Sequence, residues 1–571
     1  MTDFAEGTVI AKVSKWSSER ADVPGKRRII ERVQSALLRF RARDPAFNVP
    51  NVDRFAFFEP NIVELELFPL TVYAADTGYH RWFTSVDSLE QYLRRRAPGG
   101  VVKQRDLVHI STNGEVASLY VPTCPVHRGE AITLDTSRGN LRQFVWKCAR
   151  CNQTLGGIEG FAGGQRVMGA TPVRSASTFI PQIITMVRIA RDIEDIGERR
   201  VLDPLIIAKF LGLLPADFDL AKGLAEAAAA LPPTPEQIES IARKYGMAKS
   251  EVAKILGDFQ QDQVAPTEKA LSRVLQLFPN LEDDRQLSVS IFEHQELLRE
   301  RAVSLSTKEA ESSGLVRDRY STFRKSFRDL GVIEAFHIPI VPLVQAAYGY
   351  TRDDFDPQKT TIRAFPADGM DRDGHVPIYV NVTESEGILF EFDRKRILDW
   401  LISNSLVDND DTTNDPKLWF LRNISPIDPR SDPSGPVQKQ VFTLIHTISH
   451  ALTKSITVPS GIASESVGEL FFPNIPAILL FTHEGSGFKT GGLEDLFQNK
   501  IFIWLNMTVE RLRTCVYDPV CYNSSACCHH CLIVSENACS HFNADLSRKV
   551  LLGSKNPRFT GFWEASVDQF L

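Results

Sequence analysis

CVYDPVCYNSSACCHHCLIVSENACSHFN, residues 515–543, holds six cysteines and three histidines. Cys528 and Cys531 form a Cys-x2-Cys knuckle, a tight turn that aims two thiolates at one ion. Cys539 follows eight positions later. The expected set is Cys521, Cys528, Cys531 and Cys539, with Cys515 as the alternative to Cys521, a choice the spacing leaves open. A four-cysteine zinc site fits best. An iron–sulfur cluster takes the same four thiolates, and a redox pair would need a βαβ context that the flanks do not show.

A second cluster lies far upstream. Cys124 and His127 are separated by two residues, as are Cys148 and Cys151. The residues between the pairs, AITLDTSRGNLRQFVWKC, read as a hairpin with Ser137-Arg138-Gly139-Asn140 at the turn. Two knuckles joined by a hairpin predict a zinc ribbon. All four positions are filled, so the site is closed and structural. Residues 121–190 carry eight basic and three acidic residues, a balance of +5. Arg138, Arg142, Lys147 and Arg150 on the ribbon are the candidate DNA-backbone contacts. A merely solvated surface is the competing reading.

These clusters sit in an otherwise ordinary chain. It has 571 residues, 43% hydrophobic and 24% charged, which suggests about three or four domains and excludes bulk disorder. The formal charge of −6 excludes a histone-like polycation. Nine cysteines in two clusters, with none between Cys151 and Cys515, are not a disulfide framework. The start MTDFAEGTVIAKV is no signal peptide, and no apolar stretch approaches the ~20 residues needed to cross a bilayer. The expected setting is cytoplasmic, with no membrane contact.

Residues 1–50 read as a basic amphipathic helix, with Ile29, Ile30, Val33, Leu37 and Phe40 at helical spacing. Short strands and one helix follow to residue 120. Residues 207–303 are helical. TPEQIESIARKYGMAKSEVAKIL there resembles two helices around Gly246, a plain hairpin rather than a DNA-reading pair. Residues 408–415 read as an acidic loop and 431–436 as a second break. The expected fold class is α+β and multidomain. Its blocks are an N-terminal α/β region (1–120), a zinc ribbon (121–165), a mainly helical region (166–335) and a C-terminal mixed α/β domain carrying the four-cysteine site (336–571).

Catalytic motifs are missing. No G-x4-GK[ST] occurs; GSGFKTGG (485–492) lacks that spacing. His446 and His450 lie four apart in HTISH, but Thr447 stands where a metalloprotease helix carries its general-base Glu. No nucleophile elbow or dinucleotide fingerprint is present. The expectation is no catalytic residue and no small-molecule substrate. The alternatives are a metal-dependent nuclease or hydrolase using His446, His450, His483 and Glu484, and a purely architectural scaffold.

Several blocks resemble a known family in order. IHTISHAL (445–452), ILLFTHEGSGFKTGGL (478–493) and DPVC…CCHHCLIVSENACSHFNADLSRKVLLG (518–553) are similar to the helicase-associated domain of the DrmB family of DISARM anti-phage proteins. Upstream, GATPVRSASTFIP (169–181), AAYGYTR (346–352) and EGILFEF (386–392) resemble further blocks of that family. Residues 1–110 do not show its opening, and SESVGELFF (464–472) stands where a more charged segment is expected. The resemblance assigns the ligand role in the doubled Cys527-Cys528 to Cys528. It implies two structural zinc ions, a DrmA-like superfamily-2 helicase as partner, and DNA engaged through the complex in defence against phage.

Overall fold

A computed structural model describes residues 9–95, 100–162, 166–189, 199–220, 223, 235–252, 266–281, 285–306, 327–365, 374–409, 415–426, 435–483, 491–535 and 538–564. The fold is α+β and multidomain. The chain packs as two compact units that interleave in sequence: Met1–Ile184 with Gln345–Asn381, and Thr185–Val344 with Val382–Leu571. The consecutive blocks read from composition follow the chain. The units are discontinuous because strands distant in sequence pair within them.

In the first unit, Ala11–Arg20 runs antiparallel to Phe55–Leu67. Phe55–Phe58 then pairs in parallel with residues 376–379. The helix Lys26–Leu38 buries Ile29, Ile30, Val33 and Leu37, the apolar stripe set by 3.6-residue periodicity. Thr71–Ala74 lies between His80–Trp82 and Val102–Gln104, and the helix Val86–Arg95 drops Leu89 onto Val72 and Val102. Leu107–Ile110 is flanked by Arg166–Pro172 and Val116–Ser118. The expected hairpin forms. Ile132–Asp135 pairs antiparallel with Val145–Cys148, which also pairs with Thr154–Gly157. Gly139 takes φ +67 at its turn, the left-handed region that favours glycine.

In the second unit, a sheet runs in the order Val303–Ser306, residues 332–344, residues 382–392, Ala477–Thr482, Val467–Phe472. Successive side chains of a strand point to opposite faces. Ile388, Phe390, Ile478 and Leu480 therefore join one core with the helices Pro436–Ser455 and Ile501–Arg513, through Val441, Leu444, Ile448 and Trp504. Leu389, Leu479 and Phe481 point the other way. They pack with the helices Arg199–Leu211, Pro266–Leu277 and Arg285–Arg299 through Leu205, Ile206, Val274 and Ile291. Coverage on both faces is why residues 477–481 are unbroken apolar sequence rather than alternating apolar and polar.

Pro235–Tyr245 is a helix that stops at Gly246, φ +66. Thr234, residues 253–256 of the second helix of that hairpin, Glu484 and residues 485–490 of GSGFKTGG lie outside the described residues, as do residues 410–414 of the acidic loop and 431–434 of the break after it. Among the described residues, no helix is long and apolar enough to cross a membrane.

Candidate metal centres

The ribbon site is assembled by two knuckles. Cys124 N–H donates to the Arg128 carbonyl, with Arg128 at φ 53, and Cys148 N–H donates to the Gln153 carbonyl, with Asn152 at φ 57. Each reversal returns the chain so that two ligands face one point. Cys124 Sγ lies 3.7 Å from both His127 Nδ1 and Cys151 Sγ, and Cys148 Sγ lies 3.6 Å from His127 Nδ1. Tetrahedral zinc, with Zn–S of about 2.3 Å and Zn–N of about 2.0–2.1 Å, sets S···S edges of about 3.8 Å and S···N edges of about 3.5 Å. The four residues match that figure and could hold one ion. Cys124 and Cys148 sit in a small core with Trp146, Ile132 and Leu119, while Cys151 is exposed.

The four candidate DNA contacts have different surroundings. Lys147 Nζ lies 2.6 Å from Asp135, and Arg150 lies 3.1 Å from Glu130. The Lys147 ammonium holds the Asp135 carboxyl far below its usual range. Arg138 and Arg142 are exposed near the hairpin tip, where the Asn140 side chain accepts from the Arg142 N–H.

The C-terminal site corrects the expected ligand set. Cys515, Cys521, Cys528 and Cys531 converge; Cys539 does not join them. Cys515 Sγ lies 3.4 Å from Cys528 Sγ, Cys521 Sγ 3.8 Å from Cys531 Sγ, and Cys528 Sγ 3.6 Å from Cys531 Sγ. The cause is a local fold that spacing could not reveal. The helix Ile501–Arg513 delivers Cys515 into a turn in which Asp518 N–H donates to the Cys515 carbonyl and Cys521 N–H to the Tyr517 carbonyl. Cys539 instead lies against the helix Pro436–Ser455, where its Sγ is 3.2 Å from His446 Nε2.

Electrostatics favour the thiolate at Cys528, whereas burial pushes the Cys515 and Cys531 thiols up. Burial opposes ionisation of Cys528, but the Cys531 backbone N–H, the Cys515 thiol and the His530 N–H outweigh it and bring the thiol down to about 7. Cys527 stays outside the cluster, and burial pushes its thiol up to about 12. Sequence reasoning missed Arg548. Its guanidinium is fully buried, donates to both Asp518 oxygens at 2.6 and 3.1 Å and to the Leu512 carbonyl, and lies 3.6 Å from Cys521 Sγ. Four thiolates around a divalent ion would carry a net negative charge, which Arg548 is placed to offset. The available signal was weak: Arg548 stands beside Lys549 in LSRKVLL (546–552), just ahead of the apolar Val550–Leu552.

His446 and His450, the pair in HTISH, are wholly buried and face Glu469 and Cys539 rather than solvent. His483 lies against Phe481. Burial, then the neighbouring His450, push the His446 imidazole down to about 3, so it is a neutral base. Glu469 went unseen in the sequence reading. A carboxylate inside the apolar strand Val467–Phe472 was its signal, since a buried charge needs a partner.

No family profile matches the chain. The chain is 24% identical over 202 residues to the DISARM protein DrmB of Bacillus paralicheniformis, a match covering 31% of this chain. It spans about a third of that relative, 33% of its length.

Proposed function

We propose that this chain is a non-catalytic, zinc-binding component of a DISARM-type anti-phage system that partners a DrmA-like superfamily-2 helicase and engages DNA within that complex. The likeness to the Bacillus DrmB carries the reading. Two four-ligand clusters with every position filled support structural rather than catalytic metal. The buried His446–His450 pair, closed off by Glu469 and Cys539, leaves no open position for a substrate, which counts against the hydrolase alternative.

Arg138 and Arg142, exposed at the ribbon tip, are the phosphate-facing groups in this reading; Lys147 and Arg150 are occupied with acids on the ribbon itself. Co-expression with the helicase encoded beside its gene tests the partnership. A stable co-purifying complex that shifts duplex DNA is expected, and a chain that elutes alone at micromolar concentration refutes it.

A further inference from the structure

We propose that His446, His450, Glu469 and Cys539 form a third metal centre, a closed structural site for a zinc-class divalent ion. One candidate ligand atom from each of the four residues lies within 4.8 Å of the others, and all four residues are buried. The measured edges are 3.2 Å from His446 Nε2 to Cys539 Sγ, 3.4 Å from His446 Nε2 to Glu469 Oε1 and 3.3 Å from His450 Nε2 to Glu469 Oε1. A tetrahedron with metal–ligand bonds of about 2.0–2.3 Å has edges of about 3.3–3.5 Å for these atom types. Two imidazoles, a carboxylate and a thiolate are a donor set that suits zinc.

Behind three of the four ligands, His450, Glu469 and Cys539, the partners are those that metal ligands require, while His446 Nδ1 has no hydrogen-bond partner among the described residues. His450 Nδ1 lies 2.9 Å from the Leu532 carbonyl, an oxygen that can only accept, so Nδ1 carries the proton. Its Nε2 faces a carboxylate oxygen at 3.3 Å in a buried site, the placement of two ligand atoms on one ion. Ser449 Oγ donates to Glu469 Oε2 at 2.5 Å, leaving Oε1 for the ion. The His541 and Asn543 backbone N–H groups both donate to Cys539 Sγ at 3.4 Å, as they would to a thiolate.

The centre would tie three pieces together: the helix Pro436–Ser455, the strand Val467–Phe472 and the loop after the four-cysteine site. The helix presents His446, His450 and Lys454 at successive fours on one face. Lys454 Nζ donates to the His529 and Ile533 carbonyls, so the same face also grips the turn holding Cys528 and Cys531.

Zinc per chain, measured by mass spectrometry on the purified full-length protein, tests the proposal. Three ions are expected, and Cys539→Ser should lower the count to two while both other clusters keep theirs. A wild-type count of two, or a variant that still holds three, overturns it. Should the variant not fold, zinc-edge anomalous diffraction on the wild type decides. A peak between His446 Nε2 and His450 Nε2 supports the centre, and peaks at the other two clusters alone overturn it.

Discussion

The ribbon and the C-terminal four-cysteine site use the same chemistry in different settings. In the ribbon, Cys124 and Cys148 share a small core with Trp146, and Cys151 is open to solvent. At the C-terminus, Cys515, Cys521 and Cys531 belong to the main core that also contains Phe390, Ile448 and Trp504. A metal on a hairpin folds that hairpin. A metal inside a core fixes how large elements meet. The consequences of losing each should differ in extent more than in kind, because in both cases metal-binding energy is folding energy.

The largest effect is expected from Cys531→Ser. Losing a site worth about 10 kcal/mol or more of binding energy should abolish cooperative unfolding of the second unit, read by near-ultraviolet circular dichroism and calorimetry. Cys148→Ser should leave that transition in place and expose only ribbon amides to hydrogen exchange. Equal damage from the two variants would erase the contrast. Next in size is Arg548→Met, which strands Asp518 and removes the charge beside Cys521. Part-exposure of Asp518 limits the cost to about 3 kcal/mol by denaturant unfolding. No loss of stability would show that Arg548 does not offset the thiolates.

Glu386 gives a smaller, pH-dependent effect within the second unit. Its carboxylate accepts from His337 Nε2 at 2.9 Å and from the Gly491, Leu493 and Glu494 N–H groups at 2.9, 3.2 and 2.6 Å. Burial raises its pKa, but these donors outweigh it and hold the group below the usual 4.5. A depressed folded value means the stabilisation is present above about pH 4.5 and is lost as pH falls through that folded value. Glu386→Gln should cost about 2 kcal/mol at pH 7 and flatten the acid limb of the stability curve. An unchanged acid limb would sink this assignment. The smallest effect on the fold itself belongs to the exposed ribbon tip. Arg138→Glu with Arg142→Glu should leave melting unchanged and cut the salt slope of DNA binding by the complex by about 2. An unchanged slope would assign the tip to something other than phosphate.

Both knuckles were legible because a Cys-x2-Cys or Cys-x2-His turn is local geometry, fixed by a few backbone dihedrals. The 132–148 hairpin and the apolar stripe of residues 26–38 were legible for the same reason, a short period that burial enforces. The partner of Cys528 and Cys531 was not. Cys515 and Cys539 both lie within reach in sequence, and only the turn at Asp518 and the placement of Cys539 against the 436–455 helix separate them. Glu469 and Arg548 were hidden for a related reason. Glu469 is a single charge in an apolar strand, Arg548 stands beside a second basic residue, Lys549, and the meaning of each lies in a group many residues away.

The sequence by itself determined that this chain carries two metal knuckle systems, α+β cores and no recognisable catalytic motif, because those properties depend on composition and on neighbours a few positions apart. The tertiary structure alone decided which cysteines converge so that they could hold an ion, which histidines meet a carboxylate and how the chain divides into interleaved units. Those choices require burying charged and thiol groups beside distant partners, and a buried charge without its partner costs too much to be left alone.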